Sequence, residues 1–72
     1  MDDLTLDERT ILDEIERYWE ENGIAPTFKE IIAATGIKGM GKVHLEVGRL
    51  EKLGYIRRTP NIARSLVLTE KA

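Results

Sequence analysis

Most side chains that could bind an anion lie in the second half of the chain. Seven of the 11 lysines and arginines fall between residues 38 and 64. Such side chains donate hydrogen bonds to phosphate oxygens and to guanine O6 and N7. The pattern is therefore typical of a surface that contacts duplex DNA, and the basic candidates on it are Lys38, Lys42, Arg49, Arg58 and Arg64.

Charge is divided unevenly along the sequence. Residues 1–35 contain ten acidic and three basic side chains, a net charge of −7, whereas residues 36–72 contain three acidic and eight basic side chains, a net charge of +5. The overall charge of −2 argues weakly against a nucleic-acid partner. The asymmetry favours one face turned toward a polyanion and one turned away, although charged helical surfaces alone would also explain it.

Composition argues against several classes of protein. A length of 72 residues suits one small domain, residues 1–72, and the lack of cysteine argues against disulfides or thiolate metal sites and for a reducing cytoplasm. His44 is the single histidine, which makes a zinc site improbable. No apolar run approaches the ~20 residues of a membrane span, and the acidic start does not suit a signal peptide. We expect no cofactor, metal or membrane partner.

Two local patterns resemble ligand or catalytic sites but have simpler explanations. The adjacent acids at 13–14 and 20–21 do not face each other on a helix, so they indicate a solvated acidic face. The Gly36-x-x-Gly39-x-Gly41 segment lacks the Gly-Lys-Ser/Thr ending and the preceding strand of a phosphate-binding loop. We therefore expect neither an enzyme nor a small-molecule site.

Capping signals and apolar spacing predict the first helix over Leu6–Asn22. Thr5-Leu-Asp-Glu8 is a capping box, and Gly23 suits the position after the helix. The apolar stripe consists of Ile11, Leu12, Ile15, Tyr18 and Trp19. The opposite face is acidic and should point away from phosphate.

Two further helices are predicted, joined by a turn that contains glycine. Thr27-Phe-Lys-Glu30 is a second capping box, so helix 2 should span Phe28–Thr35 and end at Gly36. Helix 3 should run from Gly41 to Leu53, with a core stripe of Val43, Val47 and Leu50. Gly48, inside this helix, costs ~1 kcal/mol relative to alanine; it either permits close packing or is simply tolerated.

A basic hairpin completes the predicted fold. Strands are expected over Tyr55–Thr59 and Arg64–Thr69, with the turn at 60–63. The fold class is mainly α with a small β-hairpin, a three-helix winged helix-turn-helix. In that architecture helix 3 is the helix that enters the DNA major groove.

An ordered set of residues is similar to a known family. It comprises Leu4-Thr5, Gly23-x-x-Pro26-Thr27-x-x-Glu30-Ile31, Gly36, Val43-His44 and Leu50-Glu51-x-x-Gly54-Tyr55-Ile56-Arg57-Arg58. This set resembles the N-terminal DNA-binding domain of the LexA repressors and covers nearly the whole chain, with Arg64 in the wing. The resemblance implies repression of bacterial DNA-damage-response genes and a DNA contact by His44.

Two features depart from the LexA pattern. The family's repressors carry a Ser-Lys protease domain that cleaves the chain at an Ala-Gly bond, whereas Ser65 is the single serine here and no Ala-Gly dipeptide occurs. An excised domain and a stand-alone regulator both remain open. Relatives also place Ser, Thr or Asn at the start of helix 3, where this chain has Gly39-Met40-Gly41-Lys42. Glycine at position 41 leaves only backbone N–H groups to bind phosphate. The DNA sequence that the family usually binds therefore cannot be assigned to this chain.

Candidate contacts on helix 3 each have an alternative explanation. Lys42 opposes the helix dipole, which a partner anion would offset, but it could also be a solvated lysine. His44 could be merely exposed or half-buried. Leu45 lies off the core stripe and could meet a thymine methyl, pack on helix 2 or contact a partner. Lys38 and Arg49 flank the helix-turn-helix and suit backbone phosphates.

The hairpin arginines also have two explanations. Strand alternation places Arg57 and Arg58 on opposite faces, so one of them should reach DNA, and Arg64 at the turn is the strongest candidate for a wing contact. The alternative is that exposed arginines keep a small sheet soluble.

The sequence predicts a DNA-binding repressor that acts as two copies on a palindromic site. The resemblance implies a monomer off DNA, because the family's second domain supplies much of the dimerisation. The alternative is a protein-interaction module on the same scaffold that has lost specific DNA readout. Acidic helix 1, the glycines before helix 3 and Leu45 favour that alternative.

Overall fold

Residues 4–71 are described by a computed structural model and form three helices followed by a hairpin. Helix α1 spans Leu6–Asn22, α2 Phe28–Thr35 and α3 Met40–Lys52, and the strands are β1, Ile56–Arg57, and β2, Val67–Leu68. The bounds of α1 and α2 match the prediction, and α3 begins and ends one residue earlier than expected. The winged helix-turn-helix class is confirmed.

Both predicted capping boxes are formed. The Thr5 hydroxyl accepts the Glu8 N–H at 3.1 Å, while the Glu8 carboxylate accepts the Thr5 N–H at 2.8 Å. Thr27 and Glu30 repeat this exchange at 3.2 and 2.8 Å. These reciprocal bonds satisfy N–H groups that the helix itself leaves without partners, which explains why both helix starts were predictable from sequence.

One apolar core joins all the elements. Its members are Ile11, Leu12, Ile15, Ala25, Ile31, Val43, Val47, Leu50, Tyr55, Ile56 and Leu66. The predicted stripe of α3 is confirmed, because Val43, Val47 and Leu50 are fully buried. Burying each of these aliphatic side chains stabilises the fold by about 1.5–3 kcal/mol. Within residues 4–71, none of the helices is long and apolar enough to cross a bilayer.

The hairpin is much shorter than the sequence suggests. The predicted strands Tyr55–Thr59 and Arg64–Thr69 reduce to two residues each, with Ile56 opposite Leu68 and Arg57 opposite Val67. Arg64 cannot begin a strand because its φ is +57°. In place of ladder bonds, the Ser65 hydroxyl donates to the Thr59 carbonyl and accepts the Thr59 N–H, both at 3.0 Å.

Gly48 is tolerated rather than required. A Cβ added at Gly48 would have no neighbour within 4 Å, whereas Gly36 has the left-handed φ of +74° that alanine rarely adopts. Gly48→Ala should therefore raise the free energy of unfolding by about 0.5–1 kcal/mol, and the control Gly36→Ala should lower it by about 1 kcal/mol. Urea denaturation of both variants measures these changes. A destabilised Gly48→Ala protein would show that packing at this position does need glycine.

Candidate nucleic-acid interface

Helix α3 presents a polar face opposite its buried stripe. Leu45 is 72% exposed, and Lys42, His44 and Arg49 are exposed on the same helix. At its start, Gly39 has a φ of +98° and provides no side-chain cap. The first N–H groups of α3, including that of Gly41, are therefore not capped by the preceding side chain, unlike those of α1 and α2. Such amides are suited to binding a phosphate.

Lys42 has an anionic partner within the molecule. Its Nζ lies 2.9 Å from the Asp7 carboxylate on α1 and 4.0 Å from that of Glu46. The hydrogen bond that Lys42 donates to Asp7, and then the charge of Asp7, raise the pKa of Lys42 above its usual value. This carboxylate offsets the unfavourable position of a cation in the first turn of α3. An external phosphate would therefore compete with Asp7 for the ammonium group.

Arg49 is paired with the other acid at the start of α1. Its Nε lies 2.5 Å from Oε2 of Glu8, whose side chain is only 1% exposed, whereas that of Arg49 is 52% exposed. The other oxygen of Glu8, Oε1, accepts the Thr5 N–H in the capping box. Arg49 thus neutralises a buried carboxylate while leaving part of its guanidinium in solvent.

Phe28, the first residue of α2, connects two candidate contacts. The Phe28 ring is partly buried and meets the His44 ring edge-on, with centroids 4.3 Å apart. The guanidinium carbon of Arg58 lies 5.6 Å from the centroid of the same ring, and Arg58 Nε is 3.6 Å from the Glu51 carboxylate. Phe28 therefore links α3 to the hairpin. Its place between a histidine and an arginine depends on tertiary packing, which helical spacing does not reveal.

A cleft separates α3 from the hairpin. Its volume is about 290 Å³, and its lining includes Phe28, His44, Arg58, Ile62 and Arg64. Apolar ring surface and cations thus line the same depression. Such a lining can pack against a sugar and neutralise a phosphate.

Arg64 is 40% exposed, but its guanidinium is bound to other parts of the molecule. Its two terminal nitrogens donate to the two oxygens of Glu30 at 2.9 and 3.0 Å, and Nη1 also donates to the Ala25 carbonyl at 3.0 Å. The predicted wing contact to DNA stays a prediction, but the guanidinium edge formed by Nη1 and Nη2 is already bound to Glu30.

The structure sorts the predicted contacts into three groups. His44, Arg58 and Arg64 surround the cleft, whereas Lys42 and Arg49 contact acids of α1. Lys38 is exposed in the turn between α2 and α3 and forms no ion pair with residues 4–71. The predicted cations are thus spread over several surfaces around α3, and most of them already have a partner.

Comparison with known proteins agrees with this architecture. The LexA DNA binding domain family model matches residues 1–65. The LexA repressor of Caldicellulosiruptor saccharolyticus is 40% identical over 93% of this chain and 33% of the relative. The LexA repressors of Erythrobacter litoralis and Carboxydothermus hydrogenoformans are 37% and 39% identical, covering 94% and 96% of this chain and 29% and 34% of those relatives.

The chain thus spans about a third of the length of these curated relatives. The family model covers all three helices and the hairpin up to Ser65, and it confirms the resemblance drawn from the residues. The chain belongs to the LexA DNA binding domain family.

Proposed function

We propose that this chain binds duplex DNA sequence-specifically, as the DNA-binding part of a LexA-type transcriptional repressor in the bacterial cytoplasm. The observation that carries the proposal is the exposed face of α3, which begins without a side-chain cap and borders a cleft lined by His44 and Arg58. Membership of the family and the name of the relatives, LexA repressor, support it.

In the proposed complex α3 lies in the major groove. Lys42, His44 and Leu45 would face base edges, where an ammonium can donate to guanine and an aliphatic side chain can contact a thymine methyl. The N–H of Gly41, with Lys38, Arg49 and Arg58, would bind backbone phosphates; such contacts fix the position of α3 but carry no sequence information. Two copies would bind the half-sites of a palindrome.

Binding by this mechanism should depend strongly on salt. If four cations displace phosphate counterions, log affinity should fall against log salt with a slope of about −3 to −4, or about 100-fold between 50 and 200 mM. Lys38→Ala should reduce the steepness of that slope by about 1, because it removes one phosphate contact. Fluorescence anisotropy of a labelled duplex at a series of salt concentrations measures both values.

The matched control removes the same charge elsewhere. Arg17 forms ion pairs with Glu14 and Glu21 on the acidic face of α1, so Arg17→Ala should leave the slope unchanged. A nearly flat salt dependence of the unsubstituted protein would contradict phosphate binding. Equal slope changes in the Lys38 and Arg17 variants would show that net charge alone, and not position, governs binding.

A protein-interaction module is the second candidate. Lys42 and Arg49 already have acidic partners within the molecule, and Leu45 is 72% exposed on the same helix. A surface with neutralised cations and an exposed leucine suits a protein partner better than a phosphate backbone. Equally weak binding to a selected duplex and to its scrambled counterpart would favour this candidate.

A further inference from the structure

Glu30 receives hydrogen bonds from three separate parts of the chain. Its Oε1 accepts the Thr27 N–H at 2.8 Å and Arg64 Nη1 at 2.9 Å. Its Oε2 accepts the Tyr18 hydroxyl at 2.9 Å and Arg64 Nη2 at 3.0 Å. One carboxylate therefore joins α1, the start of α2 and the hairpin. A bidentate pair between arginine and carboxylate also fixes the relative orientation of the two groups.

The segment that carries Arg64 has little other support from the sheet. Only two residues pair on each strand, so residues 58–66 lie outside the ladder. Positive φ values at Asn61 and Arg64, +65° and +57°, add a conformational cost that surrounding contacts must offset. The Ser65–Thr59 exchange lies within the segment itself. Contacts to the rest of the molecule include the ion pair of Arg58 with Glu51 and the Trp19 indole N–H, which donates to the Leu66 carbonyl at 2.9 Å.

We propose that Glu30 and Arg64 form a clamp that sets the position of residues 58–66, the wing, relative to α3, and that both are positioning residues for DNA binding. The inference rests on the proposed function and deepens it. Arg58 and Ile62 line the cleft from the wing, and His44 lines it from α3. The clamp thereby fixes the width of the cleft before DNA arrives, which lowers the ordering cost of binding.

The test compares Glu30→Gln with Arg64→Gln. Glutamine also forms capping boxes, so Glu30→Gln keeps the start of α2 while it removes the charge that holds Arg64. Each variant should weaken duplex binding by roughly fivefold to thirtyfold, as expected when a preorganised surface must become ordered during binding. The double variant should bind the duplex no more weakly than the single variants, because each single substitution already removes the same clamp. The slope of log affinity against log salt should stay the same.

A direct phosphate contact by Arg64 predicts a different pattern. Glu30→Gln would then release the guanidinium and preserve or strengthen binding, while Arg64→Gln would reduce the salt slope by about 1. Arg64→Lys separates the two ideas further. It keeps the charge but lacks the planar pair of nitrogens that binds both oxygens of Glu30, so the clamp predicts weakened DNA binding and a phosphate contact predicts nearly normal DNA binding.

A second readout needs no DNA. Amide hydrogen exchange of residues 58–66 should speed up in both glutamine variants, while exchange in α1 and α3 stays slow. Unchanged exchange in the wing would overturn the clamp. If the unsubstituted protein bound no duplex but the wing still loosened in both variants, the proposed function would fail and the clamp would stand as a structural feature.

The clamp should also respond to acid. The hydrogen bond from Arg64, and then those from Thr27 and Tyr18, lower the pKa of Glu30 from 4.5 to about 2. Because the folded pKa is depressed, the clamp is fully formed above pH 4.5 and is lost as pH falls toward 2. The rate of amide hydrogen exchange in the wing, corrected for its intrinsic pH dependence, should rise as pH falls over that range in the unsubstituted protein but not in Glu30→Gln. An identical pH response in both proteins would contradict the role of Glu30.

Discussion

Lys42→Glu should weaken duplex binding by about 10- to 100-fold, because it replaces one donor to base or phosphate with a repelling carboxylate. Lys42 lies in the first turn of α3, next to N–H groups without a side-chain cap, where an anion is expected to bind. Anisotropy titrations at two salt concentrations measure the loss. Folding should survive, since the pair with Asp7 is about half exposed on both sides and exposed ion pairs contribute little to stability.

Asp7→Asn is the matched control for this experiment. It breaks the same 2.9 Å ion pair but leaves Lys42 in place, and it removes the anion that competes with phosphate. Binding should therefore stay equal or strengthen by about 2- to 10-fold, the gain expected from a modest differential interaction. If Asp7→Asn weakened binding as much as Lys42→Glu, the ion pair would be responsible, and a DNA contact by Lys42 would be contradicted.

Arg49→Gln should lower the free energy of unfolding by about 1–3 kcal/mol, because the buried Glu8 carboxylate would lose its cation. A domain of this size has only ~3–5 kcal/mol to lose, so the melting temperature should fall by about 5–20 °C. The effect is less than that of a fully buried pair because Arg49 is half exposed. Thermal unfolding monitored by circular dichroism measures the change.

A double substitution tests whether the unpaired Glu8 carboxylate causes this loss of stability. Glu8→Gln combined with Arg49→Gln keeps a capping residue for Thr5 but removes the buried charge, so most of the lost stability should return. Lys52→Gln removes one charge from the exposed end of the same helix and should change stability by less than about 0.5 kcal/mol. A double variant as unstable as Arg49→Gln would contradict the pairing. Loss of DNA binding in the single variant would then need this folding control before Arg49 is assigned to phosphate.

Local signals account for what the sequence predicted well. The starts of α1 and α2 depend on hydroxyl and carboxylate groups three residues apart, and their ends on Gly23 and Gly36, all readable without knowledge of the fold. The core stripe of α3 follows from helical spacing. The hairpin was predicted too long because Arg64 has a positive φ, which interrupts the strand and which the pattern of residue types does not reveal.

Pairings across elements account for what the sequence did not reveal. Composition shows an acidic first half and a basic second half, but it does not show that Asp7 lies 2.9 Å from Lys42 or that Glu30 binds Arg64. These contacts depend on how α1 and α2 pack against α3 and the hairpin. Four of the five basic side chains chosen as DNA contacts, Lys42, Arg49, Arg58 and Arg64, therefore also have partners within the molecule, and single substitutions alone cannot separate these contacts from binding.

The most direct test of the central claim is selection of bound duplexes from a random DNA pool at low salt. The selected duplex is then titrated by anisotropy against a scrambled duplex of the same length. Sequence-specific binding through α3 predicts an enriched palindromic motif and at least about 1000-fold tighter binding to the selected duplex. No enrichment, with both duplexes bound equally weakly, would contradict sequence-specific recognition by this chain.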